Sequence, residues 1–289
     1  MQHRIDYRFQ KFIYRGKDND SFLRKFAKEN NIQPEEFLEN KTLKAAQVGV
    51  PELVFAPKVF DYPWRTDHSN ISYIGPSVLM ERADTWSEAL SELFKKIQNL
   101  RREHSETRII YCSLGTINFW QNKNCLQFFR KVMRAFGDRS DWFIIMVIGK
   151  DISANDLGKV PNNIRVFNVV PQIKVLSACD AMITHGGFNT VKECILSGVP
   201  VVVYPLSNLW DQQGNAARVV YHKIGLRGDL EKDTSQKIFS RVNRLSQEPA
   251  FKKNIGAMRM AFERLNDSTT GVEKIESFIP GQGTPAKAE

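Results

Sequence analysis

From Thr107 onward, short apolar runs alternate with stretches whose apolar residues recur at helical spacing. Residues 108–113 and 142–148 read as buried strands, the second stopped by Gly149. Residues 163–167, 181–184 and 200–204 are shorter strands of the same kind, and 200–204 is the last clear one. Between and after them, residues 125–136, 172–178, 189–196 and 212–221 show the helical period. Such alternation predicts an α/β fold, a parallel sheet covered on both faces that holds ligands at the carboxyl ends of its strands.

The chain before this sheet is patterned differently. Residues 21–29 and 34–47 read as helices, the second with Pro34 in its first turn and Gly49 beyond its end. Residues 52–56 and 71–73 are short strands flanked by prolines, and Gly75-Pro76 then breaks the chain. Residues 86–100 follow as an amphipathic helix with apolar Ala89, Leu90, Leu93, Phe94, Ile97 and Leu100. The expected organisation is an N-terminal piece over 1–75, a linker over 76–85, a sheet-based domain over 86–279, largely helical after Asp229, and a disordered tail over 280–289.

Composition narrows the function classes. Hydrophobic residues make up 42% of 289 positions, enough for a large core and inconsistent with global disorder. No stretch approaches the ~20 apolar residues of a membrane-spanning helix, and no apolar segment follows the first charges, so no secretory leader is expected. Cys112, Cys125, Cys179 and Cys194 lie far apart without a Cys-x-x-Cys pair, which argues against zinc or a disulfide framework and for a reducing cytoplasm. The net charge of +9 attracts anions in general, from nucleotides to an acidic lipid surface touched from outside. Both signs are interleaved, however, and no basic stripe carries aromatic residues, so nucleic-acid binding is not expected.

The stretch Thr-His-Gly-Gly-Phe-Asn-Thr-Val-Lys-Glu, from Thr184 to Glu193, carries the most chemistry. Two glycines between a strand end and a helix start let the backbone approach a ligand, and aim helix N–H groups at an anion. Asn189 and Thr190 add side-chain donors, and His185 is placed to bond a phosphate oxygen. Glu193 is four residues after Asn189, on the same helix face, where a carboxylate repels phosphate but suits a neutral diol such as a ribose. Plainer readings stand beside this one. Thr190-x-x-Glu193 has the form of a capping box, Gly186-Gly187 of a simple turn, and His185 of a satisfied core histidine.

The surrounding residues resemble the UDP-glycosyltransferase superfamily, whose fold is the two-domain GT-B type. The likeness runs from Val169-Val170-Pro171-Gln172 through His185-Gly186-Gly187-Phe188-Asn189-Thr190 and Glu193 to Gly198-Val199-Pro200, Pro205 and Asp211-Gln212. Ser113-Leu114-Gly115-Thr116 is similar to the loop after the first strand of the donor domain. Residues 52–58 and Tyr73-Ile74-Gly75-Pro76 are similar to the end of the N-terminal domain and its linker. The resemblance implies that Val170 and Gln172 frame the base and ribose, and that Glu193 accepts from ribose hydroxyls. It also implies that His185, Gly186, Gly187, Phe188, Asn189 and Thr190 form the diphosphate site with Ser113, Gly115 and Thr116. Asp211 and Gln212 would then bond the donor sugar, although Asp211 could equally cap the helix after it.

Three departures qualify the match. Val169 stands where the family often has a tryptophan stacked on uracil. The stretch from Pro205 to Asp211 is longer than the family pattern. Only about 75 residues precede the linker, where a nucleotide-fold half needs roughly 100–200. No segment matches the family's catalytic histidine, and His3 and His68 lie in the wrong context, so no catalytic residue is assigned.

The expectation is therefore a hexosyltransferase that moves sugar from a UDP-sugar, without metal or cofactor, to a hydroxylated, lipophilic small molecule or lipid. This chain would bind donor but, as a truncated form, lack the base. The rival is a non-catalytic nucleotide-sugar-binding subunit whose partner chain supplies the other half; an epimerase of the same fold is the third reading.

Overall fold

The computed structural model describes residues 37–38, 46–47, 51–63, 71–81, 87–115, 122–206, 211–266 and 269–278. The chain divides into two compact units. One comprises residues 1–54 and 64–72, the other residues 55–63 and 73–289. The expected helix over 21–29, the tail over 280–289 and Thr116 lie outside the described residues.

In the first unit, β1 (Phe37–Leu38) and β2 (Ala46–Gln47) pair antiparallel, with Phe37 opposite Gln47 and Leu38 opposite Ala46. This overturns the helix expected over 34–47. Asn40 and Thr42 fall between the two strands, and such side chains compete for backbone hydrogen bonds and weaken a helix from within. Two further short strands, β3 (Glu52–Phe55) and β4 (Ile71–Ile74), sit where the sequence places them, and the division between the units passes through both.

The second unit is built on six parallel strands: β5 (Arg108–Ser113), β6 (Trp142–Val147), β7 (Ile164–Phe167), β8 (Ala181–Thr184), β9 (Val201–Val203) and β10 (Gly225–Arg227). Their spatial order is β10-β9-β8-β5-β6-β7. The chain runs outward from β5 to β7, returns to β8 beside β5, and runs outward the other way. The reversal lies between β5 and β8, the switch point where doubly wound sheets open a ligand crevice. The short β10 was not expected, because its three residues hold a single large apolar side chain, Leu226.

Helices cover both faces. All six residues of β6 are buried, as they must be in a strand without a solvent side. On one face Ile110, Cys112, Ile144, Met146 and Val202 join a core with Phe128, Phe129 and Phe136 of α2 (Asn122–Phe136). Ile238 and Val242 of α6 (Ser235–Gln247) complete that core. On the other face, Cys194 of α4 (Phe188–Leu196) lies 3.3 Å from Met182 Sδ of β8. α1 (Glu88–Glu103) starts at Ser87, whose Oγ accepts from the Leu90 amide at 3.3 Å, and buries Leu90, Leu93 and Ile97. Its end is tied to the sheet by Arg101, whose Nη2 donates to both carboxylate oxygens of Asp180 at 2.7 Å. The remaining helices are α3 (Gln172–Leu176), α5 (Gln212–Tyr221), α7 (Pro249–Asn266) and α8 (Thr270–Glu276). No helix among the described residues is long and apolar enough to cross a membrane.

Candidate functional site

The register between β5 and β8 sets Ser113 beside Thr184, so two loops leave the sheet next to each other. Both turn by the same device. Ser113 Oγ accepts from the Gly115 amide at 3.3 Å, and Thr184 Oγ1 accepts from the Gly186 amide at 3.3 Å. Gly115 has φ +86° and Gly186 φ +85°, in the left-handed region that costs other residues about 1–2 kcal/mol.

The imidazole of His185 fills the space between the loops. A Cβ on Gly115 would stand 2.6 Å from its Cε1, and one on Gly187 would stand 2.6 Å from its Nε2. A side chain at either glycine would therefore displace this ring. His185 Nδ1 is buried and has no hydrogen-bond partner among the described residues. Burial pushes the imidazole down to about 4 against an opposing pull from Asp211, so the ring is neutral near pH 7. A neutral imidazole keeps one N–H donor and one acceptor, and an arriving anion would draw a proton toward it. This is not the satisfied core histidine of the plainer reading.

α4 begins directly after this ring. Its cap residue is Gly187, which has no side chain to cover the first amides, and the first turn holds no acidic residue. An open helix start of this kind attracts negative charge. The capping box does not form, because the helix already starts at Phe188, and the Glu193 carboxylate turns elsewhere. Glu193 Oε2 accepts from Gln172 Nε2 at 2.5 Å, and the same amide nitrogen reaches Thr190 Oγ1 at 3.4 Å. The Tyr111 hydroxyl donates to Gln172 Oε1 at 3.3 Å, which orients that amide. Glu193 is buried. Gln172, Thr190 and Glu193 thus form one polar cluster next to the helix start.

Asp211 does not cap α5 with its side chain. Its Oδ2 accepts instead from Asn215 Nδ2 at 2.9 Å, and that nitrogen also donates to the Gly186 carbonyl at 2.9 Å. Gln212 Oε1 accepts from the Leu206 amide at 2.7 Å, so Gln212 holds the chain after β9. Val170 is half-buried and Asn189 exposed. Val169 is 58% exposed and presents no ring to a base. Phe188 is engaged elsewhere, stacked on Phe60 with ring centroids 6.0 Å apart.

Sequence reasoning passed over Tyr111, Asn215, Lys192 and Phe60. Asn215 carried a local signal, four residues after Asp211 on one helix face. The other three act through contacts between distant segments, which no local pattern announces.

Comparison with known proteins identifies relatives of the chain. A family model described as erythromycin biosynthesis protein CIII-like, C-terminal domain, matches residues 130–274. The NDP-glycosyltransferase YjiC of Bacillus subtilis (strain 168) is 28% identical over 274 residues, covering 92% of this chain and 64% of its own length. Among solved structures, the glycotransferase of kitacinnamycin superposes with a TM-score of 0.70 at 26% identity, over 92% of this chain and 63% of its own. The calicheamicin glycosyltransferase CalG4 gives a TM-score of 0.66 at 21% identity, over 89% and 59%, and shares the fold. The chain therefore spans less than two thirds of the length of these relatives.

Proposed function

The chain belongs to the erythromycin biosynthesis protein CIII-like, C-terminal domain family of the UDP-glycosyltransferase superfamily, and on that premise we propose that it binds the nucleotide-sugar donor of a sugar transfer. The reading is supported by the glycosyltransferases among its relatives. The observation that carries it is the pairing of two unlike polar sets at the switch point. The open start of α4 with neutral His185 suits an anion, while the adjoining Gln172–Glu193 pair suits neutral hydroxyls. Diphosphate next to ribose has that order of chemistry.

In this reading Glu193 and Gln172 take the ribose and Val170 borders the base. His185, Asn189, Thr190 and the turn from Ser113 to Gly115 take the diphosphate. Asp211 and Gln212 face the donor sugar. Displacement at the anomeric carbon releases a diphosphate, whose growing charge the helix start and imidazole stabilise. No resident metal or cofactor takes part. The acceptor is a hydroxylated, lipophilic molecule. The protein works in the cytoplasm.

Calorimetry with UDP, UDP-glucose and the corresponding thymidine diphosphates tests the donor site. Binding of a nucleoside diphosphate is expected, with weak choice between the two bases because Val169 offers no stacking face. Absence of both heat and thermal shift at millimolar ligand would refute the reading. Product analysis by mass spectrometry over hydroxylated acceptors should find no transfer by this chain alone. General-base assistance is worth ~10²–10⁴-fold, and acceptor positioning more. Robust turnover would refute this expectation and call for a base among the chain's own residues.

A further inference from the structure

Two stretches far from α4 in sequence grip that helix. Phe60 is 2% exposed. Its ring stacks on Phe188 at 6.0 Å and on His222 at 5.6 Å, and meets Phe262 edge-on at 5.5 Å. Asp61 fastens this insertion. Its Oδ1 accepts from Arg218 Nε at 3.1 Å and Nη2 at 2.8 Å, and its Oδ2 accepts from the Tyr73 hydroxyl at 3.0 Å. Further along α4, Lys192 is 4% exposed, and its Nζ donates to the Pro76 carbonyl at 2.6 Å. The same ammonium lies 5.0 Å from the Phe188 ring centre and 5.9 Å from that of Phe55.

A buried lysine is an expensive way to fill a core. Desolvation lowers its proton affinity, against the pull of Glu193 beside it in sequence, and the charge is tolerated only where a fixed acceptor meets it. Any apolar residue would serve simple packing here. Lysine adds a specified distance to one carbonyl oxygen, reinforced by two aromatic faces.

We propose that Lys192 and Phe60 are positioning residues of the nucleotide site. They set the axial position and rotation of α4, so that its first turn and Glu193 stand opposite the Ser113–Gly115 turn and Gln172. The inference rests on the donor-site reading above. α4 has nine residues, so a shift at either grip moves the whole element. The 2.5 Å contact between Glu193 and Gln172 leaves no slack for such a shift. Phe188 opens the helix beside Asn189 and Thr190, and Lys192 immediately precedes Glu193, so each grip adjoins residues that face the ligand.

The test compares Lys192→Met, which keeps the stem and loses the donor, with Lys192→Gln, which restores an N–H donor. Phe60→Leu keeps apolar bulk without the stacked ring, and Phe136→Leu in the remote core serves as a stability control. Measured are UDP affinity by calorimetry, melting temperature, and amide hydrogen exchange across residues 188–193. Lys192→Met and Phe60→Leu should weaken UDP about 2- to 30-fold, the usual range for substitutions that act through packed neighbours. They should also speed exchange in α4, with Lys192→Gln intermediate. Phe136→Leu should melt lower yet bind UDP as the parent does. If the first two variants melt lower but keep parental affinity and exchange, the positioning role is overturned. Should Lys192→Met fail to fold, Phe60→Leu and Lys192→Gln decide the matter. A parent chain that binds no UDP would sink the donor reading, while exchange in α4, which needs no ligand, would still decide whether the grips hold the helix.

Discussion

Replacing Gly187 with alanine tests the site through one ring. Gly187 has φ −57° and ψ 137°, which alanine adopts without strain. The added Cβ would stand 2.6 Å from His185 Nε2 and 2.9 Å from Cε1, so the imidazole has to move. Retreat toward Gly115 is blocked, because that backbone already closes the other side of the ring. The expected course is outward, toward water. Overpacking of this kind costs about 1–3 kcal/mol, which the movement of a side-chain end relieves in part. Once hydrated, the imidazole regains its ordinary proton affinity, and its pKa rises from about 4 toward 6.5. That rise corresponds to about 3 kcal/mol at most. The pKa is followed by NMR titration of the ring protons, and ligand affinity by calorimetry with UDP and uridine. UDP should weaken by roughly tenfold or more, the worth of a hydrogen bond to a charged group. Uridine, which lacks the phosphates, should bind as before. A Gly187→Ala variant with parental UDP affinity and a His185 pKa still near 4 would refute this account of the ring.

Glu193→Ala should weaken UDP and uridine by the same factor, about 5- to 15-fold for one lost hydrogen-bonding partner; parental affinity for both would remove Glu193 from the ribose site. His185 also makes stability depend on pH. Its folded-state pKa of about 4 lies below the ordinary 6.5, so the unfolded chain takes up the proton first as pH falls. Stability should be full above pH ~6.5 and decline until about pH 4, by up to ~3 kcal/mol, and His185→Asn should flatten that part of a urea-midpoint series. Ile144→Ala, at a fully buried position of β6, should cost about 2–5 kcal/mol in chemical denaturation. Its folded fraction should bind UDP unchanged, and a loss of affinity would mean that the sheet core and the site are not independent.

The sheet was legible because its physics is local. Residues 108–113 and 181–184 are runs too apolar to leave either face in water, and their separation by helical stretches leaves a parallel arrangement as the solution. The chemistry of the Thr184–Glu193 stretch was legible for a similar reason. Glycines between strand and helix mark a close approach whatever the rest of the chain does. Other features were settled only by distant contacts. Residues 34–47 carry a helix-like pattern, yet the two described parts of that stretch pair as strands, because a partner's hydrogen bonds outweigh propensities of a few tenths of a kcal/mol per residue. The brief β10 exists as a partner for β9. The neutrality of His185 follows from its enclosure between the two turns, and the grip on α4 from Phe60 and Pro76 arriving from more than a hundred residues earlier in the chain. Periodicity reports which face of a segment is buried. It carries no record of what that face is buried against, and burial against a particular neighbour is what sets a proton affinity or locks a helix in place.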